Sequence, residues 1–333
     1  METVRSRFVK VLHGERPSDR LPIIEWATWW DKTVARWRTE ELPEILGWTE
    51  IKRYFHLDVD YQLWFPQHAH CAARIPGAPH GAWIRDAVDY EALRPFLYPD
   101  PVPFDLPVWR DIAQKQLRGE VVVWITFSGF FWWPRVLLGI EPHLYAFYDQ
   151  AELMHRINRD QVDYMRRCLE QFCEICVPDF MTFGEDMSYN HGPMISRSQY
   201  DTFLAPYYRE IVPDLKRRGV VVLIDSDGDV EPLIPWFEGV GIEGILPLER
   251  MAGVDVNRVR ANHPQWIMIG GFDKTVMHLG EAAMRVEFER LLPVMKSGWY
   301  VPSVDHQTPP AVSMLDYQLY LSLLREYAAK AID

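Results

Sequence analysis

The chain has no run of apolar residues long enough to span a membrane or to form the core of a signal peptide. Its first twenty residues, METVRSRFVKVLHGERPSDR, are interrupted by charged side chains throughout. No other stretch approaches the roughly 18 consecutive apolar residues of a transmembrane helix. We therefore expect a soluble, cytoplasmic protein.

Positive charge is scarce as well. The 333 residues include 35 Lys and Arg against 47 Asp and Glu, which gives a formal net charge of -12. Such a chain repels phosphate backbones and anionic lipid surfaces. The composition therefore argues against nucleic acid and membranes as partners and favours an enzyme that acts on a small molecule.

Cysteine is rare, and its positions argue against a thiolate metal site. Cys168, Cys173 and Cys176 lie in VDYMRRCLEQFCEICVPD, where apolar residues recur at helical spacing. The C-x-x-C formed by the last two has no second C-x-x-C to complete a tetrahedral site. We predict buried cysteines of a helix. A H-x-H pair, His68 and His70, has no third ligand nearby in sequence.

What the chain does contain is a regular alternation of strands and helices. Eight short, mostly apolar runs are typical of strands buried on both faces of a parallel sheet. They are LPIIEWA (21–27), VDYQLWF (59–65), VVVWITFSGF (121–130), DFMTFGED (179–186), VVVLIDSD (220–227), GILPLE (244–249), WIMIGGFD (266–273) and WYVPSVD (299–305).

The connections between these runs favour a closed barrel over an open sheet. A doubly wound open sheet usually carries a glycine-rich loop after its first strand, and LPIIEWATWWDK has no glycine. Sustained alternation implies crossover helices between parallel strands. We predict one domain over residues 1–333, an α/β (β/α)8 TIM barrel decorated by loops and helices in its amino-terminal part.

Acidic residues follow most of the predicted strands, and in a barrel they would meet at one rim. So many carboxylates cannot all ionise unopposed, so some have raised pKa values or cations neutralise them. Alternatively, several cap the following helices. The predicted catalytic residues are Glu185, Asp225, Asp227 and His306, of which Asp225, Asp227 and His306 are also candidate metal ligands; Asp186, Glu249 and Asp305 are predicted to bind substrate.

Aromatic residues are abundant, with 14 Trp and an aromatic share of 14%. Large rings can wall a pocket for a flat or apolar ligand, or they can simply fill the core. We predict that Trp26, Trp29, Trp30 and Phe130 form a substrate wall.

Four segments resemble the uroporphyrinogen decarboxylase superfamily, which includes cobalamin-dependent methyltransferases. They are ISRSQYDTFLAPYYREIVPDLKRRG, the strand ending in DSDG, GGFDK, and the closing VPSVDHQTPP. The resemblance implies a (β/α)8 barrel with its active site at the carboxyl-terminal mouth.

The chain departs from two branches of that superfamily. True decarboxylases resemble one another in an arginine-rich amino-terminal motif, where this chain has EWATWWDKTVARW. Zinc-dependent methyltransferases carry H-x-C-G at the strand end that here reads Asp225 to Gly228. A third group removes the methyl group of methoxylated aromatics and passes it to a corrinoid protein.

The leading hypothesis is therefore a corrinoid-dependent methyltransferase of the O-demethylase type. It would use a divalent metal, with zinc as first candidate, and a corrinoid carried by a partner protein; exposed tryptophans are compatible with a homodimer. One alternative is a decarboxylase or other lyase acting on a small carboxylic acid or a porphyrinogen-like substrate. Another is a non-catalytic binding protein.

Overall fold

The computed structural model describes residues 2–69, 71–78 and 81–333 of the chain. Its strands, in chain order, are β1 (Asp60–Trp64), β2 (Val122–Ser128), β3 (Phe180–Gly184), β4 (Ser188–Tyr189), β5 (Gly192–Pro193), β6 (Val221–Asp225), β7 (Gly244–Leu246), β8 (Ile267–Phe272) and β9 (Tyr300–Val304). Seven of them form one parallel sheet in the order β1-β2-β3-β6-β7-β8-β9, while β4 and β5 form a small antiparallel hairpin. All carboxyl ends of the parallel strands therefore lie at one end of the sheet.

The helices return the chain from that end to the start of the next strand. In chain order they are α1 (Val4–Leu12), α2 (Asp31–Thr39), α3 (Trp48–Tyr54), α4 (Ala87–Leu93), α5 (Leu106–Leu117), α6 (Trp132–Leu138), α7 (Ile140–Asp149), α8 (Ala151–Cys173), α9 (Arg197–Phe203), α10 (Ala205–Arg217), α11 (Ile234–Glu238), α12 (Val256–Asn262), α13 (Glu281–Met295) and α14 (Met314–Lys330). Short 3-10 turns occupy Arg94–Phe96, Glu231–Leu233, Arg250–Ala252 and Lys274–Leu279. Ser196 and Ser313 start α9 and α14 with capping boxes, which satisfy free N–H groups of the first turn.

The predicted first strand is not a regular strand, although its residues lie where an eighth strand would be. Within 21–27, the carbonyl oxygen of Ile23 accepts from the Asp58 N–H at 2.8 Å. On the other side, the Ser303 hydroxyl of β9 donates to the carbonyl oxygen of Ile24 at 3.1 Å. The contacts to both edges of the sheet involve side chains as well as backbone, so no continuous ladder forms.

The interior of the sheet is apolar, as the sequence predicts. All residues of β2, β3, β8 and β9 are buried. Cys168 and Cys173 belong to α8; Cys168 is fully buried, which confirms the prediction for it, whereas Cys173 is only partly buried. Cys176 is buried just beyond the end of that helix. No helix in the described ranges has the length and apolar character needed to cross a membrane.

Candidate functional site

A cavity of about 350 Å³ opens at the carboxyl ends of the parallel strands. Its lining combines aromatic, polar and acidic side chains: Trp26, Ala27, Thr28, Gln62, Trp64, Trp124, Asp186, Asp225, Asp227, His306 and Gln307. Five of these were predicted site residues, namely Trp26, Asp186, Asp225, Asp227 and His306. We call this cavity the mouth cavity.

Three aspartates meet in the mouth cavity, and among the described residues no lysine or arginine forms an ion pair with any of them, although the charges of Lys274 and Arg135 act on Asp227 and Asp186. Asp186 follows β3, Asp225 is the last residue of β6, and Asp227 lies in the next turn. Burial raises the pKa of Asp227 to about 7, and the charges of Asp186 and Glu249 add to this effect. Burial also raises the pKa of Asp225 well above its ordinary value, and its two acidic neighbours raise it further. These carboxyl groups therefore keep protons at a pH where ordinary carboxyl groups have lost them.

The turn that carries Asp227 is held in place by backbone contacts. Gly228 has φ +84°, and a Cβ at this position would lie 2.8 Å from the Tyr189 backbone. Its N–H donates to Glu249 Oε2 at 3.1 Å. The Asp227 N–H points to Asp186 Oδ1 at 3.4 Å, so the two acidic side chains share one short stretch of the rim.

His306 lies just after β9, on a different segment of the chain from these contacts. Its Nε2 is 3.7 Å from Asp227 Oδ2, and its ring meets the edge of Trp26 at a centroid distance of 6.2 Å. Burial and the charge of Lys274 lower the pKa of His306, although Glu249 and Asp186 oppose the shift. A neutral imidazole can accept a proton from a substrate or from the adjacent acid.

Glu249 and Asp305, both predicted substrate residues, instead surround a lysine beside the mouth cavity. Lys274 Nζ is 3.7 Å from Glu249 Oε1 and 3.6 Å from Asp305 Oδ1. Asp305 is fully buried and also accepts the backbone N–H groups of Arg250 at 2.9 Å and Lys274 at 3.2 Å. Burial raises the pKa of Asp305 to about 6, against the effect of Lys274. These two acids tie the loops after β7, β8 and β9 together.

Glu185, predicted to be catalytic, is a buried helix cap. Its carboxylate accepts the N–H groups of Phe130 and Phe131 at 2.8 Å and of Trp132 at 2.9 Å, at the start of α6. It also accepts from the Tyr208 hydroxyl. Gly129 makes this possible, because a Cβ there would overlap the Glu185 carboxyl group. Burial raises the pKa of Glu185 to about 8, while the three backbone donors lower it.

Three of the four predicted wall aromatics lie outside the mouth cavity. Trp29 is 1% exposed and packs among rings such as Trp37 and Tyr317. Phe130 is fully buried between the sheet and α10. Trp30 is 42% exposed at the start of α2, away from the lining residues. Core packing therefore explains Trp29 and Phe130, and only Trp26 of this set forms part of the wall.

Six lining residues were not predicted as site residues, and three of them, Gln62, Trp64 and Trp124, lie in β1 and β2. Gln62 and Trp64 alternate along β1, so their side chains project to the same face of the sheet. Gln62 Nε2 donates to the Thr126 hydroxyl at 2.8 Å. Trp124 Nε1 donates to Asp60 at 3.1 Å. A polar residue two positions before a tryptophan, on the same face of β1, was the available signal.

The predicted metal ligands do not form a metal centre. In the described ranges, no group of three or more His, Cys, Asp or Glu side chains is arranged to hold a metal ion. Asp225 and Asp227 flank Ser226, whose hydroxyl accepts the Met187 N–H at 3.2 Å, and only Asp227 approaches His306. The sequence prediction of a metal at Asp225, Asp227 and His306 is therefore not supported by their geometry. His70 of the H-x-H pair lies outside the described residues.

A larger groove of about 890 Å³ opens at the opposite end of the barrel. Its ionisable side chains are largely paired with one another, as Lys216 with Glu243 at 3.3 Å and His263 with Glu238 at 3.0 Å. Such pairs stabilise surface structure rather than bind a charged ligand.

Comparisons with solved structures found chains that are only distantly similar to this one. A candidate vitamin-B12-independent methionine synthase from Listeria monocytogenes has 11% identity and a TM-score of 0.46, covering 95% of this chain and 97% of that one. A chitobiase from Flavobacterium johnsoniae has 8% identity and a TM-score of 0.43, covering 96% of this chain and 52% of that one. A B12-independent methionine synthase from Shewanella sp. W3-18-1 has 11% identity and a TM-score of 0.28, covering 69% and 68%. No curated protein matches the chain significantly.

The family assignment comes from the sequence of the carboxyl-terminal two thirds of the chain. Residues 111–327 match the model of the family described as "Uroporphyrinogen decarboxylase (URO-D)". The matched region contains six of the seven parallel strands and the acids of the mouth cavity. The curled sheet is the predicted (β/α)8 barrel. Since the match spans more than half of the chain, the protein belongs to the uroporphyrinogen decarboxylase family.

Proposed function

We propose that the protein is a methyltransferase that removes a methyl group from a small methylated substrate and passes it to a corrinoid carried by a partner protein. A methoxyaromatic compound is the first candidate substrate. The observation that carries the proposal is the mouth cavity itself, where carboxyl groups with raised pKa values lie beside tryptophans. Such groups suit proton donation at neutral pH.

The acids would act on the leaving group. When a methyl group leaves an aryl ether, the carbon–oxygen bond breaks and its electron pair stays on the oxygen. A phenolate is a poor leaving group because phenols have pKa values near 10. Proton donation from Asp227, whose pKa is about 7, would release the neutral phenol instead. Asp186 supports this role because its charge raises the pKa of the donor, and Asp225 has a pKa that is itself raised by burial and by its two acidic neighbours.

The size of the mouth cavity suits a site that holds the substrate and leaves the corrinoid outside. About 350 Å³ is near the lower end of the range for small-molecule sites, enough for one substituted ring. A corrin macrocycle exceeds that space, so the corrinoid, which supplies the nucleophile that accepts the methyl group, would be presented from the open side by its partner. The residues of this chain would then hold the substrate, exclude water and deliver the proton.

Decarboxylation of a porphyrinogen is disfavoured by charge. Three acids and no arginine or lysine line the mouth cavity, and a substrate with many carboxylates would be repelled. The same argument applies to a small carboxylic acid as substrate. Lys274, the nearest lysine, is already flanked by Glu249 and Asp305.

The proposal is tested by incubating the protein with a panel of methoxylated phenols and a reduced corrinoid protein, and by measuring the demethylated product chromatographically. We expect product only when both proteins are present. Asp227→Asn should abolish most of it. Asp273→Asn is the matched control, because Asp273 caps the turn after β8 without lining the cavity and asparagine caps equally well. No demethylated product across the panel would reject the proposal.

A further inference from the structure

The wall of the mouth cavity is built from three tryptophans on three different segments. Trp26 precedes α2, Trp64 ends β1 and Trp124 lies in β2. Trp64 is 46% exposed, whereas Trp124 is only 2% exposed. The indole N–H groups of Trp26 and Trp124 are already bonded, to the Val304 carbonyl oxygen and to Asp60. The Trp124 ring stacks on Phe180 at a centroid distance of 5.1 Å, so the rings that can offer a ligand their π-systems are those of Trp26 and Trp64.

Cationic side chains near the mouth cavity are occupied elsewhere. The Arg135 guanidinium donates to the Asp186 carbonyl oxygen at 3.0 Å and lies 4.9 Å from the centroid of the Trp132 ring. Lys274 contacts Glu249 and Asp305. In the part of the chain that the structure describes, no ion pair with a lysine or arginine reaches Asp186, Asp225 or Asp227. The lining thus holds three carboxyl groups without such a partner inside an aromatic wall, and the negative charge of Asp186 acts on both Asp225 and Asp227.

Two kinds of cation could neutralise this charge, and the geometry favours one of them. A metal ion needs several ligands converging on one point, and the described acids and histidines form no such group. An organic ammonium ion needs no convergent ligands, because it is attracted by the faces of aromatic rings and by carboxylates at longer range. Tryptophan gives the strongest attraction of this kind.

We propose that the mouth cavity binds a small organic ammonium compound. This inference deepens the proposed function, because it names the charge class of the substrate: a methoxyaromatic amine or a methylated ammonium ion rather than a neutral or anionic ether. The positive charge would lie between the rings of Trp26 and Trp64 and the carboxylate of Asp186, while Asp227 keeps its proton for donation to the leaving group.

The test uses three ligands that share a methoxyphenyl ring and differ only in charge: para-methoxybenzylammonium, para-methoxybenzyl alcohol and para-methoxybenzoate. Their affinities are measured by isothermal titration calorimetry on the full chain, with tetramethylammonium as a fourth probe. We expect the ammonium compound to bind at least about tenfold more tightly than the alcohol. The benzoate should bind most weakly. Equal affinities, or tighter binding of the alcohol or the benzoate, would overturn the inference.

Variants assign the effect to the wall and to the acids. Trp64→Leu and Asp186→Asn should each weaken binding of the ammonium compound about tenfold and leave the alcohol within about twofold. Asp273→Asn removes the same charge from the same rim outside the cavity and should change the affinity less than threefold. Trp64→Phe keeps an aromatic face and should recover part of the loss. If the acidic and aromatic variants bind the ammonium compound like the unaltered protein, the proposed site is wrong.

The two proposals fail in different ways. Ammonium binding requires no corrinoid protein, so selective binding without any methyl transfer would support this inference and reject the proposed function. Demethylation of neutral methoxyphenols without preference for the ammonium compound would support the proposed function and reject this inference. An excess of Mg²⁺ should not displace the ammonium probe, and displacement at comparable concentrations would show an inorganic cation site instead.

Discussion

Acidic side chains lie at both ends of the barrel, but their surroundings differ. At the end where strands begin, Asp58 contacts Arg7 at 3.2 Å and Arg20 at 2.7 Å. Asp60, the first residue of β1, contacts Lys52 at 2.8 Å. These acids also accept hydrogen bonds from neighbouring groups, including the Ile23 N–H and the Trp124 indole. At this end each charge is balanced, and the acids join the amino-terminal segments to the sheet.

At the mouth, Glu249 and Asp305 share Lys274, whereas among the described residues Asp186, Asp225 and Asp227 have no lysine or arginine partner. Asp227 has a single contact with a basic side chain, His306, at 3.7 Å. Burial keeps the pKa values of Asp225 and Asp227 high. Burial of unbalanced carboxyl groups costs free energy, and such groups cluster at functional sites. The comparison therefore teaches that pairing, more than the position of an acid at a strand end, distinguishes the acids with structural contacts from those that we propose to act in catalysis.

The largest expected effect comes from breaking the paired end. Asp58→Ala leaves the buried Arg7 guanidinium without one of its two partners and removes the acceptor of the Ile23 N–H. We expect a loss of about 3–5 kcal/mol in the free energy of unfolding. Urea denaturation measures it, and ligand affinity at the mouth should be unchanged in the folded variant. A loss below about 1 kcal/mol would show that these pairs contribute little.

The second prediction concerns the unpaired end. Asp227→Asn keeps the shape of the side chain but removes the proton donor. We expect the rate of demethylation to fall about a hundredfold, as is common for loss of a general acid. The melting temperature should not fall, because no ion pair with lysine or arginine is lost. Unchanged activity would mean that Asp225 or Asp186, and not Asp227, donates the proton.

Much of the barrel could be predicted because buried parallel strands have a distinctive sequence. Short apolar runs located all seven parallel strands of the sheet within a few residues, and five of these runs end in an acid. The carboxyl ends of parallel strands share one end of a barrel, so Asp186, Asp225, Asp227 and His306 could be placed together from strand order alone.

The direction of individual side chains could not be predicted in the same way. Glu185 and Asp186 are neighbours, yet one caps α6 and the other lines the mouth cavity, where Asp186 has φ +40°. The position of the Glu185 carboxyl group depends on Gly129, which lies 56 residues earlier and leaves room for it. Trp29 and Trp26 likewise differ because a hydrophobic cluster around Trp37 takes up Trp29. Such choices depend on tertiary packing, which short motifs do not encode.

A smaller effect, the pH dependence of kcat/KM, tests the comparison between the two ends of the barrel. Asp227 has a pKa of about 7, and the groups that face it are Asp186, Glu249, Lys274, Asp305 and His306. A proton donor must be protonated, so kcat/KM for demethylation should be constant below pH 7 and fall about tenfold per pH unit above it. A stopped assay between pH 5 and 9 measures the profile, with Asp273→Asn as control. A rate that rises with pH instead would mean that the group acts as a base.

The smallest expected effect is on stability at the unpaired end. The pKa of Asp225 lies well above 3.8 in the folded protein. As the pH rises, the unfolded chain therefore loses this proton first, near pH 4, and the contribution of Asp225 to stability decreases until the folded carboxyl group also ionises. Asp225→Asn removes that decrease, so its melting temperature should exceed that of the unaltered protein by a few degrees more at pH 8 than at pH 5, at about 2 °C for each kcal/mol. Differential scanning calorimetry at both pH values measures the difference, and Asp273→Asn should show none. An Asp225→Asn variant that is less stable at pH 8 would mean that the folded protein holds Asp225 as a compensated anion. The contrast between the two ends of the barrel would then not hold for Asp225.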